Sequence, residues 1–587
     1  KLWTPQFAIP QFLFNPEARF SAWNAAFEYN ILRYVLEVPV KLEQFIDTMA
    51  MAAANNLPQS LDDCSQFLNS EYQKDPVGKR LIQKLSKPKK DGTFNEDPEL
   101  LEQLYEYCKQ DVRTEMSVAS QLRSLSSNEQ AIWVMTQKIN ERGVPVNPRE
   151  LQNAVSSVEK NKAEINKEIV ELTGGYTANQ PAKLIGWLAE RNIIVEDMTA
   201  ETVTKLLQRS NLPSDVRRVL ELRHQGSLTS VAKYEKMLEV QVGGRIRNTL
   251  VYHGASTGRF ASRGGLNLQN IARPTLDDDA IKEAYERILV RGEGGTMEEL
   301  SSLVRSAIKA PEGYVFVDAD FSSIENRVAS WIAGQNDVLE AFRQGLDEYK
   351  QFASTALYNV PYEEVTKDMR QVSKSAVLGC MFGQGAKGLV EYADGMGVKL
   401  SPAEAERAVK AYRNKYAKVK SSWYDMEAQA INAINSPGTA CRSGKVVFKV
   451  AKDALWMQLP SGRLICWHAP QVEDQLTPWG RMKLGITVRN QNTFTRKWGR
   501  NKLIGSSIFQ SAVQGAARDM LAESSLLLEL NGFEVLNLIH DEVLLLVKES
   551  EGERALKTVE QLMTTPPKWA PDFPLAAEGW YGKRYRK

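Results

Sequence analysis

Residues 535–547, VLNLIHDEVLLLV, are apolar at nine of thirteen positions. That density predicts a pair of buried strands. His540, Asp541 and Glu542 interrupt it, and a carboxylate buried without a partner costs several kcal/mol. A second pattern, GYVFVDADFSS, alternates with a period of two, so Tyr314, Phe316, Asp318 and Asp320 share one strand face. Asp320 stands where that strand gives way to a helical pattern. A third, RQVSKSAVLGCMFGQG, repeats Arg370, Lys374, Leu378 and Phe382 at every fourth position. On a helix these form one slowly drifting stripe of two cations, one aliphatic and one aromatic, about 18 Å long.

Residues 1–125 mix short strands and helices, and residues 126–245 are strongly helical and charged. Residues 246–275 turn Gly/Asn-rich, in HGASTGRFASRGGLNLQNIARP. Helix patterns return over 337–435, strands and loops over 440–500. A long helix pattern, SSIFQSAVQGAARDMLAESSLLLEL, then leads into the opening stretch. The order is α/β, then helices, then a sheet that a helical insert interrupts and that resumes near the end.

At 587 residues, 43% apolar and 25% charged, the chain reads as a soluble multidomain protein of about four units. No run approaches the ~18 apolar residues of a membrane span, and the proline-broken start lacks a signal-peptide layout. Cys64, Cys108, Cys380, Cys441 and Cys466 form no C-x-x-C, and there are four histidines. That argues against a zinc or disulfide framework and for a reducing compartment. Net charge is +2, but its distribution is uneven. Lys410, Arg413, Lys415, Lys418 and Lys420 crowd one segment; Arg489, Arg496, Lys497, Arg500 and Lys502 crowd another. Either could be a solvated face, and together they also suit a DNA-binding cleft.

Asp320 and Asp541 are 221 residues apart, so only the fold can unite them. Each alone is an ordinary turn residue. Brought together they repel unless cations intervene, and two divalent ions roughly 3.5–4 Å apart would serve a phosphoryl transfer. The stripe suits a nucleoside triphosphate, with phosphates on its cations, though an amphipathic helix with a basic end looks the same. GQGAKG, 383–388, fits G-x-G-x-x-G but lacks the preceding strand of a dinucleotide site.

DFSSIENR (320–327), RQVSKSAVLGCMFG and HDE (540–542) resemble the three motifs of family A DNA polymerases, the relatives of bacterial DNA polymerase I. TGR with NLQNI, QSAVQGAARDML and the ending GWYGKRYRK support the likeness over about 126–587, most like the bacteriophage members. The resemblance implies a right-hand fold. The thumb would be 126–245, the palm 246–336 and 441–587, and the fingers 337–440. It implies template-directed DNA synthesis on primer–template DNA with dNTPs, in DNA replication. Asp320, Asp541 and the Phe321 carbonyl would hold two Mg²⁺, with Mn²⁺ as a substitute. Glu542 would support the site. Arg370 and Lys374 would grip phosphates, Lys374 also donating a proton to pyrophosphate. Glu325 would be a steric gate against the 2′-hydroxyl. Arg259 and Gln514 would read the minor groove, with His540, Asn267, Gln269 and Asn270 near the primer–template. Leu378 and Phe382 stand where the family has Phe or Tyr, and Tyr; Tyr349 stands where bacterial members have a phosphate-contacting His. A monomer in the cytoplasm of a bacterial host is expected, with accessory replication proteins as further partners.

YCKQD, with Tyr107 and Asp111, and WNAAFE, with Glu28, resemble motifs of the ribonuclease H-like 3′–5′ proofreading exonuclease. The early D-x-E pair is absent, the first Asp being Asp47. Residues 1–125 are thus expected to be an incomplete exonuclease-type lobe, lacking N-terminal strands or degenerate, that supports the polymerase; proofreading would belong to a longer protein. Two rivals remain. Glu325 and NLQNI argue against a single-subunit RNA polymerase. Asp320, Asp541, Arg370 and Lys374 argue against a catalytically silent DNA-binding scaffold.

Overall fold

The computed structural model describes residues 7–75, 77–264, 267–271, 273–477, 480–492, 495 and 497–586. Arg496 of the second basic cluster lies outside them. The chain begins with a short parallel pair, β1 (Phe20–Ala22) and β2 (Phe45–Asp47), with helix α1 (Ala26–Asn30) between them. Helix α2 (Pro98–Ala119) starts at Asp97, whose side chain accepts the N–H groups of Glu99 and Leu100. Helix α3 (Ser127–Arg142) buries Ile132, Trp133, Met135 and Ile139. Helix α4 (Pro148–Thr173) is capped by Asn147 and stops at Gly174, whose φ of 75° only a residue without Cβ adopts cheaply.

Strand β3 (Tyr314–Phe321) runs into α5 (Ile324–Ala333). The helical insert follows, with α6 (Lys367–Cys380), α7 (Ala386–Gly395), α8 (Pro402–Lys415) and α9 (Ala417–Asn435). Next come β4 (Cys441–Ser443), β5 (Val446–Ala451), β6 (Ala454–Gln458), β7 (Leu464–Leu476), β8 (Met482–Gln491) and β9 (Trp498–Leu503). They pair in sequence order as an antiparallel meander. The long helix α10 (Gly505–Leu530) leads into the hairpin β10 (Glu534–Ile539) and β11 (Glu542–Lys548). Helix α11 (Gly552–Met563) and β12 (Ala577–Gly582) close the fold. Among the described residues no helix is long and apolar enough to cross a membrane.

The sheet that matters for function has the order β10-β11-β3-β12. Alternate residues of β3 feed two different cores. Val315, Val317, Ala319 and Phe321 join a core shared with α3, the helical insert and the meander. Phe316 joins a second core, with Leu544, Leu546 and the helices around α4. Both faces are therefore covered, and apolar runs replace simple alternation in these strands. Asp318 and Asp320 lie on the Phe316 face. Asp318 is buried, whereas Asp320 is half-buried at the strand end.

The stripe helix differs from its sequence pattern. Helix α6 ends at Cys380, and Phe382 falls in the turn that follows. Gly383 there has a φ of 87°, and a Cβ on it would lie 2.8 Å from Cβ of Ser506. The stripe thus loses its helical form two residues before Phe382, and α10 passes close beside the turn that carries it.

Candidate active site

The opening stretch folds into the β10–β11 hairpin, with His540 and Asp541 as its two-residue turn. His540 takes the left-handed conformation, φ 57°, as such turns demand. Strand β11 then pairs with β3 in a register that sets Glu542 opposite Asp320. The Phe321 N–H donates to the Asp541 carbonyl at 3.1 Å. Two carboxylates far apart in sequence are thereby fixed at the ends of adjacent strands, and both are half-buried. Glu542 is buried and accepts the Tyr585 hydroxyl at 2.9 Å. Burial pushes the Tyr585 hydroxyl well above its ordinary range, and the charges of Glu542 and Asp318 push it further. Tyr585 therefore stays a donor. Among the described residues no three His, Cys, Asp or Glu side chains form a metal-holding group. A carboxylate pair with nearby main-chain oxygens is nonetheless the donor set Mg²⁺ favours, since that ion keeps waters and substrate phosphates as its other ligands.

On α6 the residues of the stripe are half-exposed while Ser373, Ser375, Ala376, Val377, Gly379 and Cys380 are buried. The Arg370 guanidinium pairs with Asp347 at 2.6 Å and lies 5.4 Å from the Tyr349 ring centre. The Lys374 ammonium lies 5.9 Å from the same ring. Burial lowers the Lys374 pKa, and the charges of Arg370 and Arg273 lower it further. That makes Lys374 a readier proton donor than a solvated lysine. Leu378 and Phe382 pack partly against the first core.

Ser323, in the left-handed conformation, turns the chain from β3 into α5. Arg327 fixes this turn: its guanidinium donates to the Ser322 carbonyl at 2.7 Å and the Pro574 carbonyl at 2.8 Å. Glu325 is thereby set in the first turn of α5, where it forms an ion pair with Arg259. The loop carrying Arg259 is held from below. Arg463 donates to the Thr257 carbonyl at 2.8 Å and Arg518 to the Gly258 carbonyl at 2.9 Å. Arg518 is buried and grips both oxygens of Glu129, at 2.5 and 2.9 Å. Arg463 pairs with Asp519 at 2.6 Å. Gln514 is half-exposed on α10, four residues before Arg518. His540 Nε2 lies 3.3 Å from the Gln269 carbonyl. Asn267 accepts the Gln269 N–H at 3.0 Å, and Asn270 is exposed beside it.

In the N-terminal lobe Tyr107 and Asp111 share one side of α2 with Lys74, whose ammonium is 3.4 Å from Asp111. Gly78 admits the Tyr107 ring, because a Cβ there would be 1.8 Å from Cε2. Burial raises Glu28 to about 7, with the charges of Glu115 and Asp47 adding to it. Among the described residues this lobe has one two-stranded sheet.

Sequence reasoning passed over Asp347, Arg273, Arg327, Tyr585 and the Glu129–Arg518–Asp519–Arg463 network. One signal existed for the network: Arg518 and Asp519 sit inside the mostly apolar run AVQGAARDML, where charge must be paired if buried. The others are recognisable only by what they touch.

Comparison with known proteins agrees with this architecture. A sequence model described as "DNA polymerase family A" matches residues 148–445. The DNA polymerase of Bacillus phage SP02 is 31% identical over 97% of this chain and 89% of its own length. DNA polymerase I of Aquifex aeolicus is 26% identical over 77% of this chain and 65% of its own. The POL domain of Pol1 from M. smegmatis, solved in complex with DNA primer-template and dNTP, superposes with a TM-score of 0.60 at 19% identity. That alignment covers 98% of this chain and 88% of that one, and so shares the fold. With the family's sequence model over half the chain and a phage polymerase alike along nearly all of it, the chain belongs to DNA polymerase family A and is a DNA-directed DNA polymerase.

Proposed function

We propose that the β3–β11 strand ends are the catalytic centre at which this polymerase extends a primer 3′-hydroxyl with dNTPs. Family A DNA polymerases are divalent-metal dependent. In this chain Asp320, Asp541 and the Phe321 carbonyl would hold two Mg²⁺ ions. When bound, such ions neutralise charge on the attacking and leaving oxygens of an in-line displacement. The observation that carries the reading is the register that sets Glu542 against Asp320, with Phe321 bonded to the Asp541 carbonyl.

The protein's own residues supply position and charge. Arg370 and Lys374 orient the triphosphate, and Lys374 gives a proton to the departing pyrophosphate. Tyr349, packed beneath both cations, fixes where they stand. Glu325 closes the space a 2′-hydroxyl needs, and Leu378 and Phe382 border the sugar and base. Arg259, Gln514, His540, Asn267, Gln269 and Asn270 line the primer–template side. Glu542, bonded to Tyr585, holds the hairpin turn in place. The N-terminal lobe acts as support: Lys74 neutralises Asp111 through one carboxylate oxygen, and the pKa of Glu28 is raised to about 7. This geometry does not favour a second hydrolytic centre there.

Primer extension by Asp541→Ala, alongside primer–template affinity, tests the assignment. Extension is expected to vanish while binding persists. Undiminished extension would refute the metal role.

A further inference from the structure

The second basic cluster has no part in the chemistry described above. Between Asp474 and Asp519 the sequence has eight Lys and Arg and no Asp or Glu. The family's sequence model ends at residue 445, before this segment. Strands β8 and β9 carry four of these cations, Lys483, Arg489, Arg500 and Lys502. One face of these strands, Ile486, Val488 and Leu503, enters the first core. The other face carries Arg489 opposite Arg500 and Thr487 opposite Lys502, with Gln491 opposite Trp498.

Two arginines directly across a strand pair repel each other. Among the described residues Arg489, Lys497, Arg500 and Lys502 are all exposed, and none is paired with a carboxylate. Lys483, nearer the sheet's other end, pairs with Glu427 at 2.9 Å. Arg500 donates to two neutral oxygens, the Ala469 carbonyl at 3.0 Å and the Thr487 hydroxyl at 3.2 Å. The face also presents aromatic rings. Trp498 and Phe67, both half-buried, meet edge-on at 5.1 Å, and Arg489 lies 4.4 Å from the Phe67 ring centre. The ribbon is rooted beside the loop that carries Arg259. Arg463, one residue before β7, donates to the Thr257 and Gly515 carbonyls. At the other end β9 passes through Ile504 into α10, the helix of Gln514.

We propose that the outward face of β8 and β9, with Phe67 beside it, binds the unpaired template strand. Unneutralised cations suit a phosphate backbone, and successive outward side chains on a strand are about 7 Å apart. Half-exposed rings add what a duplex cannot use, since stacking requires an unpaired base and contributes about 1–3 kcal/mol per base. The charges that strain the isolated ribbon are neutralised when the strand lies on it. The assignment rests on polymerase membership and is independent of which residues hold metal.

The test uses the full chain with the Arg500→Ala/Lys502→Ala double variant. Fluorescence anisotropy follows one labelled duplex, either blunt or with a ten-nucleotide 5′ template overhang, across a salt series. The wild type is expected to bind the overhang substrate more tightly, and the double variant to lose at least fivefold there. Its salt slope should fall by about 1.4, roughly 0.7 for each cation removed from a single-strand contact. Blunt-duplex affinity and extension over a one-nucleotide overhang should stay at wild-type level. An unchanged overhang affinity and slope would overturn the proposal. An equal loss on the blunt duplex would overturn it too, by moving the contact to paired DNA, and so would loss of single-nucleotide extension. A failure of the metal assignment leaves all of these binding outcomes readable.

Discussion

Replacing Glu129 with Gln removes one charge from a buried network and leaves its shape. Burial alone would raise the Glu129 carboxyl, but Arg518 and then Arg463 more than offset it, holding it at about 2 against an ordinary 4.5. At roughly 1.4 kcal/mol per pH unit that gap corresponds to about 3 kcal/mol, similar to the 3–5 kcal/mol typical of a broken buried pair. A folded pKa below the unfolded one means the contribution is fully present above about pH 4.5 and is lost as pH falls toward 2. Denaturant unfolding of Glu129→Gln should therefore show a loss of about 3 kcal/mol at pH 7, shrinking by about 1 kcal/mol at pH 3.5. Because Arg518 also holds the Gly258 carbonyl, the Arg259 loop should loosen and affinity for primer–template fall with it. A variant as stable as wild type at pH 7, or a deficit that ignores pH across this window, would refute the network as drawn.

Two further outcomes follow from the nucleotide side of the cleft. Glu325→Ala should lower the preference for dNTPs over NTPs by about tenfold or more, measured as the ratio of kcat/KM values, because the gating side chain is gone; an unchanged ratio would remove Glu325 from that role. Asp347→Asn keeps the cap on the Tyr349 and Lys350 N–H groups but removes the charge paired with Arg370. Such a half-exposed pair is worth about 1 kcal/mol at most, so dNTP affinity should rise by up to about fivefold in equilibrium titrations, and weaker binding would show that the pair orients Arg370 instead.

Local periodicity made some of this readable in advance. Strand alternation put Asp318 and Asp320 on one face, and the four-residue repeat picked out the exposed side of α6. Motif order then brought Asp320 and Asp541 together, because strands that flank an insert can rejoin one sheet. What stayed hidden depends on contacts between lobes. Glu129 meets Arg518 across 389 positions, and nothing local to either residue names the other. The turn that follows α6 packs at Gly383 against Ser506, a neighbour no window around Phe382 contains. The basic cluster at 489–502 was visible as charge, but its direction came only with the register of β8 and β9.

The carboxylates of residues 540–542 show why density of apolar residues is a poor guide to burial at a turn. The strands on either side are buried on both faces because two cores meet the sheet there. Their burial stops at the turn. His540 is exposed and Asp541 half-buried, so the desolvation cost expected of a buried aspartate largely lapses. Glu542 alone goes inside, and there Tyr585 meets it with a hydroxyl that burial keeps protonated. Rigid apolar strands thus hold a charged turn at the sheet edge without enclosing it. That arrangement positions a carboxylate for a cation while leaving it in reach of solvent and substrate.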